Sequence, residues 1–267
     1  MATTTLSRRE QCTPALAVTR SLLAYGVIAG PLYVIVSLAQ ALTRDGFDLT
    51  RHAWSLLANG DLGWLQITNL ILSGAMTIAF AAGLGRALPQ QWWAPRLVGV
   101  YGASMVAAGI FRADPAMGFP AGTPADATDV SWHGLVHLAA AAVGFLGLVV
   151  ACLLLGRYFA QLAKRSEGDG AQPAKRSEGD GAQPAKRSEG DGAQLAKRSE
   201  GHSARQGARG WALSSRIAGI GFLGAFVGIA SGAGTVATVL AFVAAVIGVS
   251  VWMSALAVHL YRTAREH

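Results

Sequence analysis

Residues 217–261 read IAGIGFLGAFVGIASGAGTVATVLAFVAAVIGVSVWMSALAVHLY, a run of 45 positions without Asp, Glu, Lys or Arg. A helix needs about 20 mostly apolar residues to cross ~30 Å of hydrocarbon, where no water can satisfy the backbone. The run is too long for one crossing. It breaks at Ser231-Gly232-Ala233-Gly234-Thr235, a turn-forming cluster, and so reads as two membrane helices joined by a tight turn.

Four further charge-free windows precede it: Ser21–Thr43, Leu62–Gly85, Leu97–Phe111 and Val130–Gly156. The third is short, but Trp92 and Trp93 extend it as an interfacial aromatic belt. The fourth is polar only lightly, at His133 and His137 among others. The expected fold is an all-α polytopic membrane bundle of six transmembrane helices.

The composition agrees. The 267 residues are 52% hydrophobic and 14% charged, against about 25% charged in soluble domains. Of the 37 charged residues, 17 lie between Leu162 and Gly210. The remainder are too few to coat a globular surface, which excludes a soluble enzyme, a disordered protein and a secreted disulfide scaffold. Cys12 and Cys152 are too far apart along this topology to pair. The net charge of +7 is a topology signal. With the N-terminus inside, inner segments hold 19 Lys and Arg and outer ones only Arg44, Arg51 and Arg112. Both termini are expected in the cytoplasm of a plasma (inner) membrane protein, with no nucleic acid as partner. No removable signal peptide is expected, and the Ala- and Gly-rich spans point to a bacterium.

The expected organisation is a tail over 1–19, four helices over 20–161, a loop over 162–210, two helices over 211–262 and a tail over 263–267. Within the loop the unit Ala-Lys-Arg-Ser-Glu-Gly-Asp-Gly-Ala-Gln-Pro repeats every 11 residues from Ala163, Ala174 and Ala185, with a decayed copy from Ala196. The units have no large apolar residue to bury, so a disordered cytoplasmic loop is expected.

Polar residues gather at the outer ends of the spans. The first outer loop carries Asp48, His52, Trp54, Ser55 and Asn59-Gly60, and reads as a short amphipathic helix on the outer surface. Asp61 caps the second span and Trp64 sits in its belt. Asn69, Ser73 and Thr77 share one stripe of that span at spacing four. The fourth opens with Asp129, His133 and His137, also four apart. If these two spans are neighbours, His52, Ser55, Asn59, Asp61, Trp64, Asn69, Arg112, Asp114, His133 and His137 would line an outward-facing polar pocket, with Arg112 and Asp114 at its rim and Phe119 among its aromatic walls. Histidines at i and i+4 can share one metal ion, and Asp114, His52, Asp48 or Asp61 could supply a third ligand. The plainer reading is buried hydrogen bonding, with no cofactor. Gly26 and Gly30, and Gly224, Gly228 and Gly232, form stripes suited to close helix packing.

Ser55 to Gly74 (with Asn59-Gly60, Gly63-Trp64-Leu65-Gln66 and Asn69), Gly109-Ile-Phe-Arg-Ala-Asp-Pro115 and Trp132-His-Gly-Leu-Val-His137 resemble the domain-of-unknown-function family 998, bacterial and archaeal six-span membrane proteins. The resemblance covers about residues 20–160 and implies a membrane location and a six-helix bundle, with no activity to transfer. The leading functional reading is a protein with membrane lipids as partners that binds a lipid or small amphiphile in the outward pocket. The alternatives are a zinc-dependent lipid amide or ester hydrolase, with His133, His137 and Asp114 on the metal and Asp114 or Asp61 as general base, and a small transporter. Against the transporter stand the absence of an inverted repeat and of a mid-membrane charge.

Overall fold

A computed structural model describes residues 14–127, 129–170, 184–232 and 234–264. They form six α-helices: α1 (Pro14–Thr43), α2 (Gly63–Ala87), α3 (Trp93–Ile110), α4 (Trp132–Gly170), α5 (Pro184–Ala230) and α6 (Val236–Thr263). A 3-10 helix, Trp54–Ala58, lies in the α1–α2 loop. Among the described residues no strand occurs.

Each helix packs on its neighbours in sequence, and α6 returns against α1, closing a ring. Glycines set the closest approaches. A Cβ on Gly74 of α2 would meet the Gly102 carbonyl oxygen of α3 at 2.6 Å, and one on Gly102 would meet the Gly74 oxygen at 2.8 Å. A Cβ on Gly30 would lie 2.8 Å from the Ser250 oxygen of α6, and Gly26 lies against Phe80. The expected packing stripe in α1 is therefore present. That in α5 is not: Gly224 and Gly232 have open space at the Cβ position, and Gly228 has only Thr238 at 3.7 Å.

Five of the helical segments are long and apolar enough to cross a membrane: Pro14–Thr43, Gly63–Ala87, Trp132–Ser166, Arg205–Ala230 and Val236–Thr263. The remaining helix, α3, carries Arg96 in its first turn and falls short in apolarity, although it is packed between α2 and α4. Large apolar side chains face outward along the spans, among them Ile35, Val143 and Val251, each 60% or more exposed. Such a surface suits lipid as the surrounding medium. The chain is a helical membrane protein.

The described parts of the 162–210 tract, 162–170 and 184–210, are helical where an unstructured loop is expected. Helix α4 continues to Gly170 and α5 begins at Pro184, so both expected boundaries fall inside helices. Residues 171–183 lie outside the described residues, as do the tails 1–13 and 265–267. Ala, Lys, Arg, Glu and Gln are good helix formers, which carries helix into both ends of the tract despite its glycines. Pro184 sits where proline is tolerated, at a helix start.

At one end of the ring, Arg86 at the close of α2 donates to Thr19 Oγ1 of α1 at 2.9 Å, and Arg20 reaches the Ala264 oxygen beyond α6. The opposite end carries the α1–α2 and α3–α4 loops, which interlock. We call it the capped end.

Candidate functional site

The capped end is built around Arg44, which follows α1. Its guanidinium donates to the carbonyl oxygens of Leu57 and Asn59 and lies 5.0 Å from the centroid of the Phe119 ring. Partial burial lowers its pKa, and the charge of Asp61 opposes that shift. Phe119 is buried edge-on against Phe47, with ring centroids 5.2 Å apart. His52 Nδ1 accepts the Asp48 backbone N–H at 2.9 Å. The other ring nitrogen, Nε2, therefore carries the hydrogen and donates to the Met117 oxygen at 3.0 Å. Asn59 Nδ2 donates to the Ala113 oxygen at 3.0 Å. Four side chains thus tie one loop to the other.

The first loop differs from the surface helix expected of it. Asp48 accepts the Thr50 N–H and hydroxyl in a local turn. The 3-10 segment that follows buries Trp54, Leu56, Leu57 and Ala58. Its apolar side chains satisfy themselves inside the ring rather than on a lipid surface. Asn59-Gly60 does end it, with Gly60 at φ +72°. Asp61 makes no cap: α2 starts after Leu62 without a side-chain cap bond.

Asn69, Ser73 and Thr77 are buried, as their stripe implied; Ser73 and Thr77 donate within α2, to Asn69 Oδ1 and the Ser73 oxygen, and Asn69 reaches α1. Asn69 Nδ2 donates to the Tyr33 oxygen at 3.1 Å and Ser37 Oγ at 3.2 Å. Gln66, fully buried, accepts from Gln40 Nε2 at 2.9 Å and donates to Ser37 Oγ at 3.1 Å. The second and fourth spans are not direct neighbours, because α3 lies between them. Asn69 thus belongs to an α1–α2 hydrogen-bond seam, and sequence reasoning overlooked its other members Ser37, Gln40 and Gln66.

The fourth span is capped by Ser131. Ser131 Oγ accepts the Gly134 N–H at 3.1 Å and donates to Asp114 Oδ1, while the Ser131 N–H donates to Asp114 Oδ2. Asp114 is thereby engaged at the start of α4, and Arg112, expected with it at the pocket rim, is exposed. His133 is exposed and stacked on Trp132 at 3.7 Å between ring centroids. His137 is buried, with Nδ1 facing the carbonyl oxygens of Phe111 at 2.9 Å and Ala108 at 3.2 Å. Among the described residues, no three His, Cys, Asp or Glu side chains come together. The structure does not assemble His133, His137 and Asp114 into one constellation.

What the ring does enclose is a cavity of about 450 Å³ on the side of the capped end, reached by all six helices. Tyr33, Leu70, Met105, His137, Phe226 and Val243 represent α1 to α6 in its wall, and Trp54 and Ser55 of the 3-10 helix complete it. The wall contains no Asp, Glu, Lys or Arg. Its lining residues that are also exposed are Leu138 on α4 and Ala230 at the end of α5. Of the expected pocket residues, Ser55 and His137 reach this cavity. His52, Asn59 and Asn69 are buried in other contacts, and Asp61, Trp64, Arg112 and His133 are exposed. Phe119, expected as a wall, belongs to the cap instead.

A closed ring of membrane helices around an uncharged, half-covered chamber is the class of protein this geometry defines. Residues 27–169 match the family described as a protein of unknown function (DUF998), and the chain belongs to that family. The match takes in the second half of α1, all of α2 and α3, nearly all of α4 and both capping loops. No curated protein and no solved structure matches the chain.

Proposed function

We propose that this is a six-span membrane protein that holds a lipid or small amphiphile in the chamber on its capped side. The observation that carries the reading is the chamber itself. Its ~450 Å³ fall within the range of small-molecule sites, its wall is almost wholly apolar, and Leu138 and Ala230 offer an apolar way in from the bilayer. Counting α3 as the sixth span is supported by its position between α2 and α4. The 19-to-3 division of Lys and Arg supports cytoplasmic termini, with the capped end outside a bacterial plasma membrane.

Zinc-dependent hydrolysis of a lipid amide or ester draws no support from the placement of His133, His137 and Asp114. Transport is supported by nothing beyond the bundle itself.

Mass spectrometry of molecules extracted with the purified protein tests the reading. Wild type should carry close to one apolar molecule per chain, and Ala141→Trp, which fills the chamber from α4, should lose it without losing its fold. Equal amounts on both proteins, at the level of bulk lipid, would overturn it.

A further inference from the structure

Two polar atoms in the chamber wall have no partner among the described residues, and they are of opposite kinds. His137 Nδ1 faces the carbonyl oxygens of Phe111 and Ala108, and a nitrogen facing two carbonyls can only be a donor. In the neutral ring, Nε2 then carries a bare lone pair, and no hydrogen bond to it is made in a residue that is 4% exposed and lines the chamber. Trp54, 5% exposed, lines the chamber from the cap, and its indole Nε1–H is buried without a partner. Buried polar groups are hydrogen-bonded in the great majority of cases, so the Trp54 donor calls for a cause, and His137 Nε2 is an acceptor in the chamber wall that no described residue meets.

We infer that the chamber takes a neutral single-chain lipid whose headgroup is a hydroxyl, donating its hydrogen to His137 Nε2. This rests on the reading of the chamber as a lipid site and names the headgroup. A hydroxyl carries the hydrogen that the His137 acceptor lacks. A carboxylate or phosphate would enter a wall with no cation to pair with it, and burying an unpaired charge is costly. An ether or hydrocarbon could not supply the hydrogen that Nε2 lacks.

The test uses full-length protein in lipid nanodiscs and three probes of matched chain length, 1-dodecanol, methyl dodecyl ether and dodecanoate, with saturable binding read by native mass spectrometry. Dodecanol should bind about tenfold more tightly than the ether, the value of one net hydrogen bond of ~1.4 kcal/mol, and dodecanoate more weakly still. His137→Asn retains an amide N–H near the Nδ1 position for the two carbonyls and deletes the Nε2 acceptor. It should bring dodecanol and the ether to equal affinity while leaving the ether unchanged. Should the variant fail to fold, the wild-type ranking decides. Equal binding of dodecanol and ether by wild type, or tightest binding of dodecanoate, overturns the hydroxyl assignment and leaves the lipid chamber standing. Saturable binding of none of the three overturns both.

Discussion

Asp114 accepts two hydrogen bonds from Ser131, one from the backbone N–H at 2.8 Å and one from the hydroxyl at 2.6 Å. Ser131 in turn accepts the Gly134 N–H, so a carboxylate from the α3–α4 loop is fixed at the N-terminus of α4. Negative charge there complements the helix dipole, and the cap occupies a backbone donor that the first turn leaves free. Asp114→Ala should therefore destabilise the protein by about 1–2 kcal/mol, the range of a lost N-cap. Unfolding in mixed micelles measures it. Ser131→Ala should cost a similar amount, and the double variant much less than the sum, because both remove one arrangement.

Gly74 and Gly221 are both helical glycines with opposite surroundings. Gly74 abuts the Gly102 carbonyl oxygen, whereas a Cβ on Gly221 meets nothing within 4 Å. Gly74→Ala should destabilise by roughly 1–3 kcal/mol through overpacking. Gly221→Ala should be neutral or stabilise by up to about 1 kcal/mol, since alanine loses less backbone freedom in a helix. Paired thermal denaturation of the two variants reads this difference in sign.

Gln66 joins Gln40 and Ser37 across the α1–α2 seam. Interhelical hydrogen bonds in membranes average about 0.6 kcal/mol each, and removing one partner also strands the others. Gln66→Leu should lower stability by about 1–2 kcal/mol in the same unfolding assay. No change would mean that the seam is replaced by alternative pairing.

Asp48 provides a pH-dependent test outside the membrane. The Thr50 hydroxyl, together with the Thr50 backbone N–H, holds its carboxyl below the ordinary value, with His52 and Arg51 adding to this and desolvation opposing it. A carboxyl depressed by folding stabilises the native turn above its unfolded pKa, and that contribution disappears as pH falls through the folded pKa. Thr50→Val removes the hydroxyl donor and should raise the Asp48 pKa towards its ordinary value. Carbon-detected NMR titration of labelled aspartate follows the shift.

The helices are legible because charges mark their ends: Arg44 follows α1 by one residue, Arg86 lies in the last turn of α2 and Arg262 in that of α6. The chamber is not, because it exists only once α6 closes on α1, and its wall of Leu, Met, Phe and Val gives the same signal as any lipid-facing stripe. Polarity alone led to residues whose partners lie far away in sequence. His52 and Asn59 read as pocket groups until Met117 and Ala113 supply their acceptors. His133 and His137 share a helical spacing, but the first is exposed against Trp132 and the second is turned to the end of α3. Buried depth, rather than spacing, separates the two.

The orientation rests on the charge division between the two ends, and it can be tested without knowledge of any ligand. Asp126 is exposed in the α3–α4 loop of the capped end, while Lys186 lies in the basic tract assigned to the other side. With Cys12 changed to Ser and Cys152 buried, a single new thiol reports each position. Asp126→Cys should react with a membrane-impermeant maleimide in intact cells, and Lys186→Cys only after the membrane is opened. The positive-inside rule predicts this order because Lys and Arg near span ends are retained in the cytoplasm. The reverse labelling would place the chamber's capped end in the cytoplasm, and with it the side from which Trp54 and His137 meet their ligand.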